Sequence, residues 1–272
     1  KKGGCTAVSN AYATFKDDDV VLRTLEYAAG LDMTVVFYPE EHQIAKDGCV
    51  HEGFIASRQG LPMIPALAET VAIAKYLLMI EATGVQAHFG LLSSGASVEL
   101  IKIAKNKGLP VTADVAMHQL HLTEHLIDGF NSLAHVRPPL RAENDKELLR
   151  QGVKDGVIDA ICTHHEPLSG SAKLAPFAET LPGISAFDTY VSFGVQLVRE
   201  GLFEPLEWVE KVTLAPAKVA NMTDRWVKES GWALVDPDLE WVVNNDSILS
   251  HGKNTPLINQ KMVGKVLQTF TA

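Results

Sequence analysis

Four histidines and two carboxylates carry the chemistry this sequence could perform. His164 and His165 follow a short apolar run, Val157–Cys162, within the stretch VIDAICTHHEPL. His118 and His121 lie in a polar stretch, Met117–His121, that ends another apolar run. Imidazole is the commonest metal ligand, and zinc is the metal it most often serves. Zinc held by imidazole and carboxylate polarises an amide and generates hydroxide at neutral pH. Asp114 and Glu166 are the nearest candidate carboxylates. The same histidines also read as partly buried polar groups, hydrogen-bonded to backbone or water. His51-Glu52 lacks the second histidine of an H-E-x-x-H zinc helix and reads as a loop contact. Ser93-Ser94 has no G-x-S-x-G around it and reads as a helix cap. Arg137 and Arg141 could hold an anion or could pair with carboxylates.

Such groups act together only if elements bring them to one place. Five short apolar runs, beginning near Cys5, Met33, Val85, Val111 and Val157, read as buried strands. Helical periodicity separates them. Asp17-Asp18-Asp19 opens a helix that Gly30 closes, and a long helix covers about Pro65–Ala82 with Gly84 stopping it. Ser97–Lys107 and Asn144–Lys154 follow, with Gly108 and Gly156 behind them. Repeated strand-then-helix with nearly continuous apolar strands predicts a parallel sheet. Polar residues gathered at the C-terminal strand ends point to a (β/α)8 barrel, an α/β fold whose active sites lie at that end. Five units are visible where a closed barrel needs eight, so the first strands are expected to be missing from this chain. Ser185–Arg199 and Pro205–Thr213 read as further helices. Trp232–Val243, with a turn signal at Pro237-Asp238, and Lys261–Thr269 read as strands. This gives a partial barrel over 1–219 and a small β appendage over 220–272. The junction Ala220–Gly231 is irregular enough to conceal a deletion.

Composition narrows the function. The 272 residues are 46% hydrophobic, enough for a large core, and the formal net charge of −9 argues against a nucleic-acid surface. No apolar stretch approaches the roughly 20 residues that span a bilayer, and Lys1-Lys2-Gly3-Gly4-Cys5 does not open a signal peptide. Cys5, Cys49 and Cys162 are odd in number and far apart, as expected of free thiols in a cytoplasmic protein.

Several motifs resemble the dihydroorotase branch of the amidohydrolase superfamily. Arg137-Pro138-Pro139-Leu140-Arg141 is similar to the family's N-P-P-L-R, and Leu181-Pro182-Gly183-Ile184 to its M-P-G-I. Ala215-Pro216-Ala217-Lys218 resembles N-P-A-R, and Lys253-Asn254-Thr255-Pro256 resembles R-N-T-P. Thr163–Leu168 looks like T-D-H-A-P-H, the family's last barrel strand end. The resemblance implies a metal-dependent barrel, yet its ligand positions are filled by other residues. T-D-D-G corresponds to Ser9-Asn10-Ala11-Tyr12, D-H-C-E to Phe37-Tyr38-Pro39-Glu40, and H-I-x-H-V-S to His88–Ser93. Asn10, Ala11, Tyr38, Leu91 and His164 thus stand where ligands and the general base are implied. The strand bearing the family's H-x-H-x-R is not in this chain. A relict substrate pocket would involve Arg137, Arg141, His165, Pro182 and Gly183.

The resulting expectation is a degenerate dihydroorotase-like protein of pyrimidine biosynthesis, without cofactor. The resemblance implies aspartate transcarbamoylase as its partner, and a homodimer is a further assembly; neither nucleic acid nor membrane is expected. Phe203, Trp208 and Trp226 are the aromatic candidates for such an interface, with packing against the barrel as the other reading. The alternative is an active dihydroorotase that binds zinc through a rearranged site. A third reading is a small-molecule sensor that uses Arg137.

Overall fold

The computed structural model describes residues 4–11, 13, 15, 17–224 and 231–271. Tyr12, Trp226 and half of the 220–231 junction therefore lie outside the described residues.

Five strands form one sheet: β1 (Ala7–Ser9), β2 (Thr34–Phe37), β5 (Ala87–Phe89), β6 (Val111–Ala116) and β7 (Ala160–Cys162). Their order is sequential and every pairing is parallel. Four of the five strands are shorter than the apolar runs that announce them, most clearly at Val157–Cys162; β6 is the exception. There the Ile158 amide donates to the Gly152 carbonyl at 2.9 Å, away from the sheet, and the run reaches the neighbouring strand only at Asp159, whose amide donates to the Ala113 carbonyl and whose carboxylate accepts the Ala113 amide, both at 2.8 Å.

The intervening helices are α1 (Asp18–Gly30), α4 (Leu67–Thr83), α5 (Gly95–Asn106) and α6 (Glu143–Lys154), with α7 (Tyr190–Arg199) after β7. Asp17 caps α1 by accepting from the Asp19 amide, but Gly30 lies inside the last turn, because Leu31 is the capping residue. Gly84 takes φ +67°, the left-handed geometry that a helix stop requires. The helix expected from Ser185 starts only at Tyr190, behind a single 3-10 turn at Phe187–Thr189. Met117–Leu120 is also 3-10 and buried, so the stretch that reads as polar is packed. A small parallel pair, β3 (Val50–His51) with β4 (Met63–Ile64), was not expected. Around it lie α2 (His42–Ala45) and α3 (Phe54–Gln59).

The core runs between sheet and helices, with the Phe37 ring stacked on Tyr76 at 4.3 Å and beside Phe89. After α7 come α8 (Pro205–Val212) and α9 (Leu214–Val219). Phe203 and Trp208 are both buried in this core, which removes them as surface anchors. Trp208 fits because Gly194 of α7 has no side chain: a Cβ there would meet the indole at 2.1 Å.

β8 (Trp232–Val242) and β9 (Lys261–Phe270) form a separate antiparallel pair. The turn expected at Pro237-Asp238 is instead a bulge within one strand, between Asp236 and Glu240. Arg199 holds it through the Pro237 carbonyl and the Asp238 carboxylate. Trp241 anchors the pair on α7, its indole N–H donating to Ser192 Oγ at 3.0 Å and to the Gly264 carbonyl at 3.1 Å. Among the described residues, no helix is long and apolar enough to cross a membrane.

Candidate functional site

The residues that could do chemistry gather at the C-terminal ends of the five parallel strands. Three of the ligand positions share a backbone feature there. Ala11, Leu91 and His164, which follow β1, β5 and β7, all have positive φ, at 45°, 60° and 44°. Left-handed backbone costs a non-glycine residue about 1 kcal/mol or more. Leu91 and His164 are buried at these strained turns, whereas Ala11 is exposed.

What the turns present is not a ligand set. Asn10 ties β1 to β2, accepting from the Tyr38 amide at 2.9 Å and donating to the Ala13 carbonyl at 3.0 Å. Tyr38 lays its ring against Gly90, where a Cβ would stand 3.2 Å from it. Leu91 is buried, and its amide donates to Asp114 Oδ1 at 2.8 Å. The other oxygen of Asp114 meets His88 Nε2 at 2.9 Å, and His88 Nδ1 meets Thr112 Oγ1 at 2.8 Å. Cys162 Sγ contacts Asp114 as well, and burial pushes that thiol well above its ordinary pKa. Asp114 is thus occupied on both oxygens by the protein's own donors.

The four histidines do not converge. His118 stacks on His164 with ring centroids 5.5 Å apart, and neither His118 nitrogen has a hydrogen-bond partner among the described residues. Burial, then the neighbouring His164, holds His118 well below its ordinary pKa. His121 turns away to stack on Phe193, and burial takes it down to about 3. His165 points outward. Its Nδ1 accepts from the amides of Ala186 and Phe187, which leaves the proton on Nε2, facing Ser250 Oγ at 3.3 Å. Ser250 in turn donates to Asp188. His164 Nε2 is 3.6 Å from Glu166. Among the described residues, no three His, Cys, Asp or Glu side chains are arranged to hold a metal. The residues present therefore do not fit the zinc that the resemblance implies.

Both arginines pair with carboxylates. Arg137 makes a two-pronged contact with Glu40. Arg141 is sealed behind the strand ends, donating to Ser93 Oγ, the Ile64 carbonyl and His51 Nδ1. Glu69 lies 4.0 Å from it and also accepts the Ser93 and Ser94 amides. Ser94 caps α5, as expected of the serine pair. Glu69 escaped notice in the sequence, where the only available signal was an acid on an otherwise apolar helix face. Of the proposed pocket, Arg137 and Pro182 line a cavity of about 260 Å³ with Tyr38, Leu91, Pro138 and Glu166. Arg141, His165 and Gly183 lie outside that lining; the Gly183 amide instead donates to the His135 carbonyl.

A family model described as Dihydro-orotase-like matches residues 1–97. A dihydroorotase-like protein of Pseudomonas putida is 42% identical over 98% of this chain and 63% of its own length. Its counterpart in Pseudomonas aeruginosa is 40% identical over 98% and 64%. The chain belongs with the dihydroorotase-like proteins. A dihydroorotase of Syntrophus aciditrophicus is 35% identical over 99% of this chain and 64% of its own. The dihydroorotase-like chain thus spans about 63% of the length of the curated relatives it matches. Its fold is that of a D-hydantoinase structure, with TM-score 0.83 at 22% identity over 99% of this chain and 63% of that one. The L-hydantoinase of Arthrobacter aurescens superposes with TM-score 0.81 at 19% identity, over 98% and 62%. The dihydroorotase-like fold accounts for the parallel strands in sequence order, each with a helix outside it.

Proposed function

We propose that this dihydroorotase-like protein has lost hydrolytic chemistry and serves pyrimidine synthesis in the cytoplasm as a non-catalytic partner of aspartate transcarbamoylase. One observation carries the first half: Asp114, the carboxylate at the centre of the strand ends, is bonded to Leu91, His88 and Cys162 of its own chain. A leucine at a ligand position offers no lone pair, and Tyr38 and Asn10 are engaged in packing and strand-end bonds. Without a metal hydroxide, ring opening loses its main source of transition-state stabilisation.

The partnership is supported by the family resemblance and by what the chain keeps. Barrel and loop motifs persist where the chemistry does not, so the remaining role falls to surface and rigidity. Phe187 and Leu249 are exposed neighbours on the loops around His165, tied by the Leu249 amide donating to Asp188. Apolar side chains of this kind suit an interface core. In this reading residues 1–219 form the barrel and 220–272 the appendage.

The test mixes the full-length protein with transcarbamoylase of the same organism at micromolar concentration. Co-elution as a larger species, with altered transcarbamoylase stability or activity, is expected. Separate elution with neither protein changed refutes the partnership. Elemental analysis of the same preparation addresses the chemistry: about one zinc per chain, lost on mutating His164 or His165, refutes the degenerate reading.

A further inference from the structure

Ile248 and Leu257 are buried in the main core and pin the connection between β8 and β9 at two points. Between them, Ser250, Gly252 and Asn254 touch the loops that follow β7. Ser250 Oγ faces His165 Nε2 at 3.3 Å and donates to Asp188 at 3.0 Å. The Leu249 amide donates to the same carboxylate at 2.8 Å. Gly252 lies on the chain at Pro167 and Leu168, where a Cβ would stand 2.5 Å from the Leu168 nitrogen and 2.6 Å from the Pro167 carbonyl carbon. Asn254 is buried and spans both loops. Its Oδ1 accepts the Leu168 amide at 2.7 Å, and its Nδ2 donates to the Glu166 and Gly183 carbonyls, each at 3.0 Å. Its own carbonyl accepts the Ser185 amide at 3.0 Å. The loops also bond to each other: the Glu166 amide donates to the Ile184 carbonyl, and the Ala186 and Phe187 amides to His165.

We propose that residues 249–255 are a strap that fastens loops 165–168 and 183–188 and opens with them as one unit, Asn254 being the fastening. Glu166 and Pro182 line the strand-end cavity, so the strap sets that wall, and the β8–β9 appendage acts on the cavity through it. Segments fastened by hydrogen bonds open at a lower free energy than the core strands beneath them. Opening here exchanges polar contacts for water and leaves Ile248 and Leu257 seated in the core. The device works whether or not metal chemistry survives at the strand ends.

The experiment is hydrogen exchange resolved to single amides in the full-length protein at neutral pH. In the parent, the Glu166, Leu168, Ser185, Ala186 and Phe187 amides should share one opening. They should be at least about tenfold less protected than the amides of β5 and β6. Asn254→Ala removes three side-chain bonds. Each is worth about fivefold in the opening equilibrium, so all the loop amides should exchange about a hundredfold faster while β5 and β6 keep their rates. Ser185 is decisive, because its acceptor is the main-chain carbonyl of residue 254, which alanine retains. Gly252→Ala, which drives a methyl into the Pro167–Leu168 backbone, should accelerate the same set. His251→Ala, at an exposed position on the strap, should accelerate none. Acceleration confined to Leu168 in Asn254→Ala overturns the proposal, as does no acceleration in either variant. Equal acceleration of β5 and β6 overturns it too, because the fold then loosens as a whole. The parent alone decides if a variant does not fold: loop amides protected as strongly as β5 and β6, or opening independently of one another, refute the strap.

Discussion

Glu69 and Arg141 form a buried pair that no motif announced in full, since only Arg141 belongs to a recognisable run. Burial lowers the Arg141 pKa, while the Glu69 carboxylate opposes that fall. Removing one partner leaves the other charge stranded, which typically costs about 3–5 kcal/mol. Glu69→Ala should lose that much in urea unfolding; a loss under about 1 kcal/mol would mean that water reaches the arginine. His118 invites the opposite result. Its imidazole is buried with neither nitrogen bonded among the described residues, so His118→Leu should leave stability unchanged or raise it at pH 7. Acid should act through the same class of residue. Burial takes His51 and His135 down to about 4, with Arg141 and Lys173 as the respective added repulsions, and takes His121 down to about 3. A histidine depressed in the folded state is protonated first in the unfolded chain. Its stability contribution is therefore full above about pH 6.5 and is lost as pH falls toward 4. Urea midpoints should decrease steadily between pH 7 and pH 5, and a flat profile would show these rings to be solvated. The sequence made the empty ligand positions visible because Leu91 and Tyr38 are read directly. It could not reveal that Asp114 is consumed, since that depends on the Leu91 amide, His88 and Cys162 meeting in space.

At the scale of elements, strand order was legible and strand length was not. Alternating apolar runs and helical patterns locate the five strands of the main sheet but miss β3 and β4, whose two-residue lengths are too short to leave a pattern. The run Val157–Cys162 is longer than its strand because the Ile158 amide donates to the Gly152 carbonyl of α6 and not to the sheet. Pro237 marks a bulge, not a turn, because Arg199 holds the backbone carbonyl there. Ser185 does not begin a helix, because the Ala186 and Phe187 amides donate to His165. These are tertiary contacts between distant residues, and local pattern carries no trace of them. The packing of α7 against α8 gives a sharp test. Gly194→Ala puts a methyl into the Trp208 indole, and overpacking of this kind costs about 1–3 kcal/mol. A thermal shift of several degrees downward is expected, and an unchanged melting temperature would place Trp208 elsewhere. Gly194→Ala should cost less in a Trp208→Leu background than in the parent protein, since the smaller side chain vacates the space.

The whole molecule keeps an amidohydrolase architecture around a centre that its own hydrogen bonds fill. Ala11, Leu91 and His164 keep left-handed turns at three strand ends, and Leu91 and His164 bury the side chains they carry. Restoring one residue should therefore not restore the reaction: His164→Asp is expected to leave turnover at background, because the ligands must converge together. The most direct measurement is dihydroorotate turnover by the purified full-length protein in the presence of excess zinc, in both the hydrolytic and the ring-closing directions. The account predicts no rate above the protein-free background in either direction. Turnover above background that disappears in His164→Ala or Asp114→Asn would contradict it.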